Sequence, residues 1–470
     1  MHVRHDVAIV GGGPVGVSMS IALSTLGVTN VILERETAAY PLPRAIVMDA
    51  EIHRSMIRHG LGDELAACLS PMKAADFVDA DGVRLMGIEL AEIRLFGLPV
   101  VSRHYQPELE AVLRHAAQQR GAVLRLGVAV TSVAEQHDRV CIECDDGTTV
   151  EASWLVGCDG ASSTVRKAID ISLEDLGFDQ DWLVVDLLVP EKRDSGLPDV
   201  TRQVCDPRRP TTLVSGHGDY YRFEFQLQPD EIPAEMRSNE RVWQLLSQWI
   251  APDKAKIVRT ATYRFHAVVA DTFRRGRTFI AGDAAHQMPP FMGQGLNSGM
   301  RDVFNLAWKL AYVQRGWAES GLLDTYSSER IPHAYGTVAQ SVETGRLIDQ
   351  LAGRTSHGVS PDAGYGGSRK SLAFTSGVVI GTGQAVGEPF AAMELLPDGT
   401  LDSFALVSHD SLPDFSTMLP IAKVRAPAST ILAGEVVVVR PDGYVAAVCS
   451  TSRVADVVAE LARCCRMIQR

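Results

Sequence analysis

The sequence lacks any hydrophobic run long enough for a membrane span. No uninterrupted apolar stretch approaches the roughly 18 residues that crossing a bilayer requires. The N-terminal segment Met1–Asp6 also lacks the features of a secretory signal and leads directly into a predicted strand. We therefore expect no association with membranes and a cytoplasmic location.

Basic clusters are missing as well. Lys and Arg number 45 against 57 Asp and Glu, which gives a net charge of -12, and no Lys/Arg cluster is spaced to follow a phosphate backbone. Nucleic acid is therefore excluded from the expected partners. An acidic total does not exclude an anionic substrate, because a few arginines inside a pocket set their own local potential.

Cysteine motifs for metal binding or redox chemistry are also lacking. The only C-x-x-C among eight scattered cysteines is Cys141–Cys144, in a segment predicted to form a strand, an Asp-Gly turn and a second strand. Residues three apart on a strand point to opposite faces, so this pair is expected neither to bind a metal nor to form a redox disulfide. Cys464 and Cys465 lie in a predicted helix and are expected to be equally inert. No metal site is predicted.

What is present is the composition of a globular protein with a nucleotide-binding pattern at its start. Of 470 residues, 46% are hydrophobic and 22% are charged, and this length corresponds to about two to four domains. An apolar run over Asp6–Val10 is followed by the glycine-rich segment Gly11–Gly16, a helical stretch ending near Leu26–Gly27, and a second apolar run over Asn30–Leu33. This order is that of a complete βαβ unit that binds a dinucleotide.

Each residue of this pattern has an expected role. Gly11 permits the tight turn from strand to helix, Gly13 lets the backbone approach a pyrophosphate, and Gly16 lets helix and strand pack closely. Glu34, 18 residues after Gly16, is placed to accept a hydrogen bond from a ribose hydroxyl. The predicted contacts of this unit are Gly11, Gly13, Pro14, Gly16, Glu34 and Arg35.

A second glycine-rich segment lies far downstream. A predicted buried strand within Gly276–His286 ends in Gly-Asp, and Pro289–Asn297 then leads into an amphipathic helix through Leu310. The carboxylate of Asp283 is suited to ribityl hydroxyls, and the helix amides are suited to the negative end of a flavin ring. Capping of the helix is the alternative role for Asp283. His286 is expected to pack or bond locally, and a catalytic role is the lesser alternative.

These two segments resemble those of the FAD-dependent aromatic hydroxylases, the group A flavoprotein monooxygenases. Three further segments match that family in order: Arg44 near the flavin ring, Arg103 with Gln106 on the flavin side, and Asp159 in the Asp-Gly motif. The resemblance covers about residues 1 to 345 and is strongest to 3-(3-hydroxyphenyl)propionate hydroxylases and related phenol hydroxylases. It implies a cofactor set extended by Gly293, Gly295, Leu296 and Asn297, with Pro290 beside the ring.

The resemblance implies an NAD(P)H-dependent flavoprotein monooxygenase that takes FAD, NADH or NADPH, O2 and a small aromatic substrate. The reduced flavin would form a hydroperoxide that hydroxylates a phenol. Asp283 and Arg44 are expected to be the most sensitive residues, and Pro290 is expected to help exclude water. The alternatives are a tailoring oxygenase or epoxidase acting on a polyketide or a heteroaromatic such as a quinolone, and, from another class, a binding protein without enzymatic activity.

The middle of the chain has β-like patterns that are expected to form the substrate sheet. Runs of this type cover residues 182 to 189, 211 to 214 and 220 to 227, and the last alternates aromatic and polar residues. Alternation shows which side chains share a face and not which face meets the flavin. Arg222 is a candidate for a substrate carboxylate, and Tyr220 or Tyr221 for a phenol oxygen, with a solvated strand face as the alternative for each.

The expected fold is α/β. It has a Rossmann-like FAD-binding domain over 1–175 and 272–345, with an excursion to the substrate sheet near 77–99, and a substrate-binding β-sheet domain over 176–271. Residues 346–390, which include the Gly/Ser-rich segment Ser356–Ser368, are expected to form a connector. Residues 391–470 are expected to form a thioredoxin-like domain without C-x-x-C that serves packing or subunit contact, as in a homodimer.

Overall fold

The computed structural model describes residues 4–355, 372–383 and 385–468. The strands in these ranges are β1 (His5–Val10), β2 (Asn30–Glu34), β3 (Val47–Asp49), β4 (Leu69–Pro71), β5 (Ala74–Val78), β6 (Arg84–Glu89), β7 (Arg94–Leu95), β8 (Leu98–Pro99), β9 (Val101–His104), β10 (Val123–Leu126), β11 (Val130–Glu135), β12 (Val140–Cys144), β13 (Thr149–Gly157), β14 (Leu173–Leu188), β15 (Thr201–Val204), β16 (Thr211–Ser215), β17 (Tyr220–Gln226), β18 (Lys256–Ala270), β19 (Arg274–Arg275), β20 (Thr278–Ile280), β21 (His286–Gln287), β22 (Phe404–Ser408), β23 (Ile421–Arg425), β24 (Glu435–Val439) and β25 (Val445–Ser450).

The helices in the same ranges are α1 (Pro14–Thr25), α2 (Ala50–Arg58), α3 (Gly62–Ala66), α4 (Gln106–Gln119), α5 (Thr164–Ala168), α6 (Pro233–Met236), α7 (Asn239–Leu246), α8 (Gln294–Gln314), α9 (Asp324–Leu351) and α10 (Val454–Cys464). Among these described helices, none combines the length and the apolarity that crossing a bilayer demands.

The first sheet is built around β1, as the βαβ pattern predicts. Its strand order is β10-β2-β1-β13-β12-β11, and β20 pairs with β13. The pairs β1 with β2, β1 with β13, β2 with β10 and β13 with β20 are all parallel. The helices α1 and α8 pack against each other beside this sheet, so the carboxyl ends of β1 and β20 and the N-termini of both helices meet at one edge.

The second sheet contains the strands that the β-like patterns in the middle of the chain predict. Its order is β21-β18-β14-β17-β16-β15-β5-β6, with β14 and β18 as its long central strands. One face is apolar and packs against α6 and α7 through a buried cluster that includes Leu183, Val185, Phe223, Phe225 and Val242. The opposite face turns toward the first sheet, and the space between the two sheets is the cavity described below.

The C-terminal part is a mixed four-stranded sheet in the order β23-β22-β24-β25, with β22 and β23 parallel and the other pairs antiparallel. The predicted Pro-Asp-Gly hairpin joins β24 to β25. Val454, Val457, Val458 and Leu461 are buried on one face of α10, as the apolar spacing predicted. All eight cysteines of the chain are free thiols.

The helix α9 extends further than the sequence indicated. It continues to Leu351, into the segment expected to be a connector, because Leu347 and Ile348 are each only 2% exposed and keep the helix packed on the core. The Gly/Ser-rich segment Ser356–Ser368 lies outside the described residues.

A buried ion network joins α8 and α9 to the C-terminal sheet. Glu329 accepts hydrogen bonds from Lys309 at 2.7 Å and from Arg440 at 2.8 Å, and the side chains of all three residues have no exposed surface. Arg440 also pairs with Asp442 at 2.6 Å. Burial alone would raise the pKa of Glu329, but Arg440 and Lys309 lower it to about 2. The C-terminal sheet is thus tied to the helices that border the cavity.

Candidate active site

A single cavity of about 990 Å³ connects the edge of the first sheet with the open face of the second. Its walls bring together segments that are far apart in the sequence. At one end they include Gly13, Pro14, Arg44, Gln106, Gly160, Asp283, Pro290, Gly293, Gly295 and Leu296. At the other end they include Val184, Thr201, Thr212, Val214, Arg222, Glu224, Arg259 and Tyr263. The two ends correspond to the predicted cofactor segments and to the predicted substrate sheet.

The turn from β1 to α1 has the geometry of a phosphate-binding loop. Gly11 has φ +106°, and a Cβ there would lie 2.3 Å from the carbonyl oxygen of Cys158, so only glycine fits. A Cβ on Gly16 would lie 2.0 Å from the carbonyl oxygen of Gly11, whereas a Cβ on Gly13 would meet no atom within 4 Å. No described side chain caps α1. The free amides of its first turn, next to the open space at Gly13, fit a pyrophosphate.

Glu34 lies where the nucleotide pattern predicts it, at the end of β2. Its carboxylate accepts hydrogen bonds from the backbone amides of Gly12 and Glu36. These bonds hold the carboxylate beside the glycine-rich turn, in the position from which a ribose hydroxyl would be bound. Arg35 points outward and forms an exposed ion pair with Glu36.

The start of α8 forms the second glycine-rich wall. Gly293 has φ +62°, and a Cβ there would lie 2.2 Å from a methyl group of Val47, while Gly295 faces open space. No described side chain caps this helix either. Its first-turn amides therefore border the cavity beside Pro290, as a site that stabilises negative charge on a bound ring would require.

Asp283 lies in the short turn between β20 and β21 and does not cap α8. Its side chain is open to the cavity, and no described group donates a hydrogen bond to the carboxylate. Burial among surrounding protein raises the pKa of Asp283, and the nearby charges of His286 and Arg44 oppose that effect. An acid in this position has its hydrogen-bonding capacity free for the hydroxyl groups of a ligand.

His286 is held locally. Its Nε2 lies 2.8 Å from a carboxylate oxygen of Asp302, and both side chains are fully buried. Asp302 also accepts hydrogen bonds from the Gly282 amide at 2.9 Å and from Arg330 at 2.7 Å. This network fixes the turn that carries Asp283. The sequence analysis did not identify Asp302 as a site residue, although an acid on the buried face of an amphipathic helix was a signal for such a role.

Arg44 faces the cavity above a tyrosine ring. Its guanidinium lies 4.6 Å from the ring centroid of Tyr40, and no described carboxylate is within ion-pair distance of it. Gln106 also lines the cavity; its side chain accepts a hydrogen bond from the Ala45 amide at 2.6 Å and donates one to Glu110 at 2.7 Å. These bonds position the segment that carries Arg44.

Three other residues expected near the cofactor are engaged within the protein. Arg103 is buried and donates to Asp199 at 2.7 Å and to the hydroxyl of Ser215 at 2.9 Å, so the structure does not support a direct flavin contact of this side chain. The Asp159 carboxylate accepts from the amides of residues 164 and 165 and binds the start of α5. Asn297 accepts from the amide of residue 49 and donates to the carbonyl of residue 293. The latter two hold backbone that borders the cavity.

The side chains of β17 that face the cavity can now be named. Arg222 and Glu224 face it, whereas Tyr221 is 1% exposed in the apolar cluster on the other face, with its hydroxyl bonded to the carbonyl of Pro198. Tyr220 stacks on Tyr105 with 3.8 Å between ring centroids. The structure therefore gives no basis for a substrate contact from either tyrosine. Glu224 was missed, although it shares the alternation of Arg222.

Arg222 is also committed within the protein. Its guanidinium donates to Asp186 at 2.7 Å and to the carbonyl oxygens of Arg44 and Pro43. A substrate carboxylate would have to displace these bonds, so the expected pairing of Arg222 with such a group does not fit the structure. Its role is to join β17 to the segment that carries Arg44.

Comparison with known protein families gives a clear match. The model of a family described as "FAD binding domain" matches residues 4–341. Among curated proteins, the chain is 38% identical over 350 residues to the "Probable NADH-specific resorcinol 4-hydroxylase" of Rhodococcus jostii, covering 73% of this chain and 65% of that protein. It is 36% identical over 348 residues to a 3-(3-hydroxy-phenyl)propionate/3-hydroxycinnamic acid hydroxylase of Mycolicibacterium smegmatis, covering 73% and 61%. The chain thus spans less than two thirds of the length of these relatives.

Comparison with solved structures extends the likeness to nearly the whole chain. Aklavinone-11 hydroxylase in complex with FAD and aklavinone superposes with a TM-score of 0.83 at 22% identity, covering 99% of this chain and all of that one. The flavin-dependent monooxygenase PieE gives 0.82 at 22% identity, covering 98% and 99%. At such identities the likeness concerns the fold, and it confirms the predicted fold class.

Proposed function

The chain belongs to the FAD-binding family whose domain matches residues 4–341, and from this premise we propose that it is a flavin-dependent monooxygenase that hydroxylates a phenolic aromatic compound with NAD(P)H and O2. The observation that carries the proposal is the cavity that joins the cofactor segments to the open face of the second sheet. The two curated relatives, described as a probable NADH-specific resorcinol 4-hydroxylase and as a 3-(3-hydroxy-phenyl)propionate/3-hydroxycinnamic acid hydroxylase, support a phenol as the substrate class.

The residues present fit FAD. The uncapped start of α1 would hold the pyrophosphate, Glu34 a ribose, Asp283 the ribityl hydroxyls, and the start of α8 the flavin ring. When bound, FAD accepts a hydride from NAD(P)H and activates O2 for transfer of one oxygen atom to an electron-rich ring. The protein supplies the orientation of the two ligands, the charge around the ring, and the exclusion of water.

Several groups around the cavity would serve these purposes. The amides of α8 and the guanidinium of Arg44 would stabilise negative charge on the ring. Pro290 and the aromatic cluster next to it, in which Phe291 packs on Trp182 with 5.3 Å between centroids, would keep water from the reacting atoms.

The replacement of Arg44 by glutamine tests the charge assigned to this site. We expect flavin reduction by NAD(P)H to slow about tenfold, because the variant loses the unpaired cation that faces the cavity. Rapid-mixing absorbance at the flavin band measures the rate. The matched control is Arg241→Gln on the exposed surface of α7, which is expected to reduce at the wild-type rate. Equal reduction rates in wild type and Arg44→Gln would remove Arg44 from the proposal.

The proposed activity is tested with the purified, FAD-loaded protein. NADH and NADPH oxidation are followed with and without a panel of simple phenols, hydroxyphenylpropionates, and polycyclic and heteroaromatic hydroxy compounds, and the masses of the products are measured. The expected result is strong stimulation by one class, with a product heavier by one oxygen atom. If only polycyclic or heteroaromatic compounds are hydroxylated, the activity is that of a tailoring oxygenase. If no compound gains oxygen, the hydroxylase proposal fails.

A further inference from the structure

The open face of the second sheet carries four charged side chains in neighbouring positions. Asp186 on β14 lies directly opposite Arg222 on β17 and Arg259 on β18. It accepts hydrogen bonds from both, at 2.7 Å from Arg222 and 3.3 Å from Arg259. Both arginines also donate to the carbonyl oxygen of Pro43. Three of the four charges thus form a closed group that is anchored to the protein.

Glu224 is the fourth charge, and it has a long ion pair with Arg222 but no hydrogen bond within the described residues. Its side chain is 7% exposed, its nearest cation is the Nη1 of Arg222 at 3.9 Å, and no described group donates a hydrogen bond to it. Its neighbours on the adjacent strands are Val184 and Thr212. The hydroxyl of Thr212 donates its hydrogen bond to Gln203 at 2.6 Å and not to Glu224. A buried carboxyl without hydrogen bonds costs free energy, so its position on the cavity wall calls for a donor from a ligand.

We propose that Glu224 binds a hydroxyl group of the aromatic substrate and thereby selects uncharged, hydroxyl-bearing rings over rings that carry a carboxylate at this end of the cavity. The inference rests on the proposed function, because it concerns the ligand of the same site. A phenolic hydroxyl donates the hydrogen bond that the carboxyl lacks. A ligand carboxylate would meet a second carboxylate there, beside an Arg222 that is already bonded to Asp186 and to two carbonyl oxygens.

The charge state of Glu224 adds a pH dependence. Burial raises its pKa to about 7; Arg222 on its own strand and Arg259 on β18 oppose this, whereas Asp186 on β14 reinforces it. The carboxyl is therefore protonated below about pH 7 and ionised above it. Hydrogen bonds to an ionised acceptor are stronger than bonds to a neutral one, so the affinity for a phenol is expected to rise as the pH increases through 7.

The test measures ligand binding to the FAD-loaded protein without NAD(P)H, from the change in flavin absorbance. The probes are resorcinol and a pair of nearly equal size, the anion 3-(3-hydroxyphenyl)propanoate and its uncharged primary amide. The variants are Glu224→Gln and, as the control, Glu240→Gln on the exposed surface of α7. Melting temperatures at pH 8 verify folding: Glu224→Gln is expected to melt no lower than wild type, because it removes a carboxylate whose ionisation is opposed by burial.

At pH 8 we expect wild type to bind the amide at least about tenfold more tightly than the acid. Glu224→Gln is expected to weaken resorcinol binding about tenfold and to reduce the ratio of the dissociation constants of acid and amide. Glu240→Gln should match wild type. The inference is overturned if wild type binds the acid as tightly as the amide, if Glu224→Gln binds resorcinol as wild type does, or if wild type binds neither resorcinol nor the amide.

The wild-type comparison of acid and amide needs no variant, so the inference can be tested even if Glu224→Gln does not fold. Its failure is also distinct from failure of the proposed function. The hydroxylase proposal fails when no aromatic compound gains oxygen, whichever compounds bind. The inference fails on the order of affinities, even if hydroxylation proceeds.

Discussion

Replacement of Asp283 by alanine is expected to weaken FAD binding by about 10- to 100-fold, so that the protein loses its yellow colour on gel filtration. The carboxylate faces the cavity and accepts no hydrogen bond from the described protein, so its capacity is free for the ribityl hydroxyls. Loss of a hydrogen bond to a charged group costs about 1.5 to 3 kcal/mol, which corresponds to that range of affinity. Titration of the apoprotein with FAD, followed by quenching of flavin fluorescence, measures the dissociation constant.

The control for this prediction is Asp271→Ala, the same change at an exposed acid that follows β18. We expect it to retain FAD as wild type does. A dissociation constant for Asp283→Ala within twofold of the control would show that the carboxylate does not bind the cofactor. The network that holds the neighbouring backbone, through Asp302 and Arg330, is unchanged in this variant, so a loss of FAD would not reflect disordering of that turn.

Replacement of Glu329 by glutamine is expected to lower the free energy of unfolding by about 3 to 5 kcal/mol, because it leaves Lys309 buried without a countercharge and leaves Arg440 with Asp442 alone. The low pKa of Glu329, about 2, lies below the ordinary value of 4.5 for a glutamate. The stabilisation is therefore complete at neutral pH and is lost progressively as the pH falls from about 4.5 to about 2. Thermal unfolding of the FAD-loaded protein at pH 7 measures the effect as a lowered melting temperature.

The same helix supplies the control for this variant. Glu343 lies on α9 with its side chain exposed, and Glu343→Gln is expected to melt within about a degree of wild type. If Glu329→Gln and Glu343→Gln melt together, the ion network does not hold the C-terminal sheet to the helices. A lower melting temperature for Glu329→Gln alone supports that coupling.

The cofactor segments were the most predictable part of the molecule, because their residues are constrained locally. Close contacts at Gly11 and Gly16 leave no space for a Cβ, so glycines at this spacing predict the shape of the turn. The alternation along β17 was equally visible in the sequence. The sequence did not indicate which face of β17 meets the cavity, because both faces of that strand are covered. The sequence therefore predicted that Tyr221 and Arg222 point apart without indicating their surroundings.

The remaining features depend on partners that are distant in the sequence. Arg103 was expected beside the flavin, yet it pairs with Asp199, 96 residues away. Glu329 and Arg440 meet across 111 residues, and nothing local to either position indicates that they meet. Asp302 and Glu224 stand in regular helix and strand patterns, where a charged side chain on the buried face was the only signal. Such positions become interpretable only when the packing of the sheets is known.

The incorporation of oxygen from ¹⁸O2 tests the central claim most directly. The FAD-loaded protein is supplied with NAD(P)H and the phenol that best stimulates its oxidation, under an atmosphere of ¹⁸O2 in ordinary water, and the product is analysed by mass. The account predicts a hydroxylated product that carries one ¹⁸O atom. A product whose new oxygen comes from water, or consumption of NAD(P)H that yields hydrogen peroxide and leaves every phenol unchanged, would contradict it.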